Sequence, residues 1–144
     1  MVVQPYLFFK GRCDEALAFY SAALDAQVTF LMRYREAPDP AVVPADWQDK
    51  VMHCNFSVGQ SQLMASDGRG DASEADRVQG CALSLTLDSE AQAQRYFNAL
   101  AEGGTVTMPF QATFWSPGFG MVTDRFNVPW MVMVAGPAPT ASAG

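Results

Sequence analysis

The sequence predicts an α+β fold built from two βαβββ repeats that form an incurved mixed sheet. Each half opens with a strand pattern and one amphipathic helix, and further strand patterns follow each helix. The halves also echo each other at an offset of about 77 residues: Phe19-Tyr20 matches Tyr96-Phe97, and Val28-Thr29 matches Val106-Thr107. Tandem duplication explains this more economically than chance. Apolar residues make up 49% of the 144 and charged residues 17%, a composition that builds a core.

Val2–Phe9 reads as the first strand, with Pro5 marking an edge or a strand start. A helix follows from about Asp14 to Leu24. Asp14 and Glu15 suit its positive end, and Ala16, Leu17, Tyr20, Ala23 and Leu24 form one apolar face. Gln27–Arg35 alternates as a second strand. From Glu36 to Asp49, Pro38, Pro40 and Pro44 forbid a regular element; this segment is either a lid anchored by Trp47 or a plain crossing loop. Val51–Val58 and Gln62–Ser66 form a hairpin about Gly59-Gln60.

Asp67–Gln79 is a polar connection, after which the order restarts. Cys81–Leu87 is a strand. Ser89 and Gln92 have capping-box spacing before a helix whose stripe is Ala93, Tyr96, Phe97 and Leu100, ended by Gly103-Gly104. Thr105–Met108, Phe119–Thr123 and Pro129–Val134 complete the second repeat. One domain is expected over 1–135, with repeats at about 2–66 and 80–135 and a flexible tail at 136–144.

A net charge of −6 and scattered basic residues exclude a nucleic-acid surface. Met1–Lys10 shows no signal-peptide pattern and no apolar run spans a bilayer, so a cytoplasmic protein without membrane contact is expected. Three cysteines without a CxxC pair read as buried free thiols, Cys13 being the one candidate for reactivity. The cleft enclosed by two such repeats is a natural ligand site. Tyr6, Phe8, Phe56, Phe114, Trp115, Phe119 and Trp130 are candidates for its lining.

Several short motifs coincide in order: Pro5-Tyr6-Leu7-Phe8-Phe9, Glu15-Ala16-Leu17, Leu63-Met64-Ala65-Ser66-Asp67, Gly103-Gly104-Thr105-Val106, Thr113-Phe114-Trp115, Asp124-Arg125-Phe126 and Pro129-Trp130-Met131. Over about Val2 to Val134 the chain resembles the PhnB-like branch of the vicinal oxygen chelate superfamily. That superfamily includes glyoxalase I, bleomycin-resistance proteins and extradiol dioxygenases. The resemblance implies the glyoxalase/bleomycin-resistance fold and a homodimer. Some members of the branch carry a demethylubiquinone methyltransferase label, but no glycine-rich strand-to-helix turn supports methyl transfer here. Ser116 and Asn127 stand where the family commonly has glycine; Asn127 tolerates a left-handed turn.

Metal-using members place His, Gln or Glu at four inward strand positions. Carried over, these fall on Gln4, at or beside Met64, near Ala82, and on Met131. Thioether and methyl groups do not hold a hard divalent cation, so no metal and no cofactor is expected. The single histidine, His53, is either a half-buried structural group or a pocket acid–base, the weak catalytic candidate of the chain. Asp67 and Asp124 are turn formers or pocket carboxylates. The expected ligand-binding set is Gln4, Tyr6, His53, Met64, Asp67, Phe114, Trp115 and Met131. Three functions compete: metal-free binding of a small apolar or aromatic molecule; a metal-dependent lyase, isomerase or dioxygenase using Gln4, His53 and an aspartate; and antibiotic sequestration.

Overall fold

Val2–Phe9 contributes a ladder of only three residues, β1 (Tyr6–Phe8). Pro5 has no N–H to donate, yet its carbonyl accepts from Met64 N at 3.0 Å and starts the pairing. The structure is a computed structural model that describes residues 1–39, 43–68 and 78–136. The chain divides into two units, Met1–Ser73 and Glu74–Gly144.

In the first unit β1 is followed by α1 (Cys13–Leu24), β2 (Gln27–Arg33), β3 (Val51–Val58) and β4 (Ser61–Ser66). They form a four-stranded sheet in the order β1-β4-β3-β2, with β1 parallel to β4 at an edge. The expected apolar face of α1 is buried, and Tyr20 stacks on Phe56 of β3 at 6.2 Å between ring centroids. Cys54, Phe56, Leu63 and Ala65 therefore form the α1-facing side of the sheet, and all four are buried. Residues alternating with them point the other way.

The strand expected to reach Arg35 stops at Arg33. There the Glu36 carboxylate accepts the Arg33 backbone N–H at 2.7 Å, and Tyr34–Glu36 winds into a 3-10 turn. The Arg33 guanidinium meanwhile grips both carboxylate oxygens of Asp14 in α1, at 2.9 and 3.0 Å. In the proline-rich segment a second 3-10 turn, Ala45–Trp47, delivers the Trp47 indole N–H to the Gly68 carbonyl at 3.1 Å.

The second unit repeats the plan: β5 (Leu83–Leu87), α2 (Glu90–Ala101), β6 (Thr105–Gln111), β7 (Phe119–Thr123) and β8 (Pro129–Val134), in the order β5-β8-β7-β6. Ser89 Oγ accepts from Gln92 N at 3.2 Å, but the Gln92 side chain turns to the Tyr96 hydroxyl, so the cap is one-sided. Strand β6 runs past Pro109, which a sheet edge and a slipped register between Met108 and Gln111 accommodate. Asn127 takes φ +66°, as the turn demands. Ser116 fits because its buried Oγ lies 2.7 Å from the carbonyls of both Gly118 and Val134. Of the expected tail, 137–144 lies outside the described residues, as do 69–77 of the connection and 40–42 of the proline-rich segment.

Two of the three cysteines are buried free thiols, as expected, and Cys81 is not. Cys13 and Cys54 are buried with their sulfurs 3.9 Å apart, whereas Cys81 is exposed because β5 begins only at Leu83. The hydrogen bond with Cys54, then burial, pushes the Cys13 thiol well above its ordinary range, which disfavours the reactive thiolate. A colorimetric disulfide reagent should therefore titrate one thiol, Cys81, promptly in the native chain, and all three in urea. Fast modification of Cys13 would contradict this packing.

Candidate ligand-binding site

On the face of the first sheet opposite α1, register sets the neighbours. Tyr6 and Asn55 both pair with Met64, and Met32 and Phe30 of β2 pair with His53 and Asn55. Paired residues share a face, so Tyr6, Phe8, Phe30, Met32, His53, Asn55 and Met64 form one surface. Its aromatic members remain accessible: Tyr6, Phe8 and Phe30 are 37%, 61% and 46% exposed. Ring centroids lie 5.0 Å apart for Tyr6–Phe8, 5.5 Å for Tyr6–His53 and 6.2 Å for Phe30–His53.

Within this apolar surround runs a short polar chain. His53 Nε2 lies 2.8 Å from Asn55 Oδ1 and Nδ1 lies 2.9 Å from the Tyr6 hydroxyl. A carboxamide oxygen only accepts, so Nε2 carries the hydrogen and Nδ1 accepts from Tyr6. Of the two neutral tautomers, this order of bonds selects the one protonated at Nε2.

Of the residues expected to bind ligand, the structure brings Tyr6, His53 and Met64 together here. Gln4 precedes β1 instead of lying on it. Asp67 does not reach this face. It is fully buried, and its oxygens accept three backbone N–H groups: Gly11 and Cys13 at 2.8 Å and Val51 at 2.7 Å. Asp124 is bound in the same manner, by Phe126 N, Val128 N and Trp130 Nε1 at 2.8 to 3.1 Å. Both are structural clamps rather than pocket carboxylates. Phe56 and Trp130 are core residues on the helix sides of their sheets.

The remaining expected residues belong to the second unit. Phe114 and Trp115 sit in the β6–β7 connection rather than on a strand, and Trp115 meets Phe119 edge-on at 5.4 Å. Met131 lies on the face of its sheet opposite α2, in register with Ser84 and Met121, which itself pairs with Met108. A cavity of about 400 Å³ in this unit is lined by Gly103, Thr105, Thr107, Asp124 and Arg125 among others. Arg125 donates there to the Glu102 carbonyl at 3.0 Å, so the lining serves the turns.

Reading the sequence missed Asn55 and Phe30. Asn55 stands two residues from His53 on the same strand and so shares its face, a signal that alternation supplies. Phe30 depends on a register shift between Val28 and Phe30, which composition does not reveal.

The donor set does not fit a hard divalent ion. Met64 and Met131 offer thioethers, and Ala82, exposed ahead of β5, offers a methyl. The imidazole nitrogens are both engaged. Among the described residues no group of three or more His, Cys, Asp or Glu side chains could hold a metal.

Three comparisons bear on this geometry. The Glyoxalase/Bleomycin resistance protein/Dioxygenase superfamily model matches residues 3–132. Protein YjdN of Escherichia coli (strain K12) is 35% identical over 150 residues, covering 97% of this chain and 99% of that protein. The crystal structure of protein PA1353 from Pseudomonas aeruginosa is 46% identical with a TM-score of 0.80, covering 93% of this chain and 97% of that one. A Bacillus cereus PhnB protein, described as a putative 3-demethylubiquinone-9 3-methyltransferase, shares the fold at 24% identity and a TM-score of 0.78. There the match covers 94% of this chain and 100% of that one.

Replacing Asp67 by alanine strands three backbone donors at once. The expected cost is about 3 kcal/mol or more of unfolding free energy, read from urea titrations, with Asp67→Asn costing less. A loss below about 1 kcal/mol would mean that those N–H groups find other partners.

Proposed function

Given that the chain belongs to the glyoxalase/bleomycin resistance protein/dioxygenase superfamily, we propose that it binds a small apolar or aromatic molecule without a metal. The site is the face of the first sheet opposite α1. One observation carries this reading: exposed Tyr6, Phe8 and Phe30 surround a His53 hydrogen-bonded at both ring nitrogens. Exposed aromatics on a strand face offer a planar ligand large contact area with little side-chain entropy to lose. Met32 and Met64 add polarisable groups that adapt to ligand shape. The polar chain at the centre gives orientation, as small-molecule sites commonly do with a few convergent groups.

The same proposal includes a homodimer located in the cytoplasm, following the family resemblance. Sedimentation velocity reads the dimer directly.

Nitrobenzene serves as a simple planar probe. Its addition should shift the backbone amide signals of Tyr6, His53 and Asn55 in a saturable way, unchanged by a chelator. The double substitution Phe8→Ala and Phe30→Ala should weaken binding about tenfold, since each aromatic contact contributes roughly 0.5–1.5 kcal/mol. Shifts confined to the second unit, or a stoichiometric divalent ion retained through purification and needed for binding, would overturn the reading.

A further inference from the structure

The polar chain on that face does more than orient. We infer that Tyr6 and His53 form a proton acceptor for an acidic hydroxyl, so that the ligand class is a phenol or enol that binds as its anion. The inference rests on the ligand face proposed above. Its basis is the one-way order of hydrogen bonds. Asn55 Oδ1 fixes the hydrogen on Nε2, so Nδ1 presents its lone pair to the Tyr6 hydroxyl at 2.9 Å. The Tyr6 oxygen, on an edge strand and in a residue 37% exposed, still has acceptor capacity of its own.

A ligand hydroxyl donating to that oxygen completes a relay. The ligand O–H bond breaks as its proton passes to the Tyr6 oxygen, and Tyr6 gives its own proton to Nδ1. One N–H bond forms at His53, Tyr6 ends as it began, and the ligand becomes an oxyanion. Tyr6 meets the ligand, His53 is the terminal acceptor, and Asn55 is a positioning residue.

The surroundings explain why an acidic hydroxyl is selected. Tyr6 from β1 is the titratable neighbour of His53; Phe30 and Met32 from β2 and Met64 from β4 carry no charge. Arg33, next along β2, is committed to Asp14 of α1. Among the described residues an imidazolium formed here has no carboxylate hydrogen-bonded to it, and the ligand's own oxyanion would serve as its counter-ion. A ligand lacking an ionisable hydroxyl gains nothing from the relay.

The test uses the full chain with 4-nitrophenol, whose anion is yellow, against nitrobenzene, which cannot ionise. At a pH below the midpoint of free 4-nitrophenol, saturating protein should turn the probe yellow. Its affinity should exceed that of nitrobenzene by about tenfold, the scale of a charge-assisted hydrogen bond. In Tyr6→Phe and in His53→Gln, the ionised fraction of bound probe, measured at saturation, should fall to its value in free solution. Asn55→Asp, which sets a carboxylate against Nε2–H, should instead raise it. Nitrobenzene binding with colourless bound nitrophenol overturns the relay alone. Yellow colour retained in both Tyr6→Phe and His53→Gln overturns it as well. If neither probe binds, the ligand face is refuted and the relay falls with it.

Discussion

A single carboxylate fixes the first unit. Asp67 follows β4, yet its oxygens accept from Gly11 and Cys13, at the start of α1, and from Val51, the first residue of β3. Three segments far apart in sequence are thereby tied at one point. Arg12, before α1, provides no side-chain cap, so Asp67 satisfies an orphaned helix N–H from across the fold and places negative charge at the positive end of the helix dipole. Burying a charge with three donors around it is tolerable; burying it with none is not. The position of α1 over the sheet, and with it the division of the sheet into a packed and an accessible face, depends on this clamp.

That division sets apart the face proposed to bind ligand. Strand β1 reaches only three residues, so it contributes two outward side chains, Tyr6 and Phe8, and both are aromatic. Gly68 lies against Phe8: a Cβ built there would come within 3.1 Å of the ring, and its φ of +67° suits glycine. The Gly68 carbonyl in turn accepts from the Tyr34 hydroxyl and the Trp47 indole. The proline-rich segment thus holds the end of β4 through Trp47.

Much of the fold was legible because its signals are local. Periodicity located both helices to within a residue or two and the β7 and β8 ladders at their observed bounds, and the repeat in strand order was visible as an echo between halves. The failures come from long-range facts. The strand expected over Thr105–Met108 runs on through Pro109 to Gln111, because at a sheet edge with a slipped register the proline costs no ladder bond. Cys81 reads as buried because it adjoins an apolar run that in fact begins two residues later. Of the residues the sequence singled out, Tyr6, His53 and Met64 share one face of the first sheet, the first and last having been noted through their motif context. Asp67 was misjudged because an aspartate beside a strand end looks alike whether it faces ligand or backbone. Only the fold brings Gly11, Cys13 and Val51 to it.

The chemistry of the first-sheet face follows from what stands at the inherited ligand positions. A hard ion needs anionic or imidazole donors, and the charge it brings organises the oxygens of whatever binds beside it. Methionine at position 64 supplies no such donor, and under the proposed function the surface handles a ligand oxygen with its polar side chains. In the proposed site the Asn55–His53–Tyr6 chain does so with groups already hydrogen-bonded to one another. Charge then appears only as a pair, imidazolium and oxyanion, created together at the moment each can stabilise the other. A face that is apolar at rest and dipolar when occupied discriminates by ligand acidity as well as by shape.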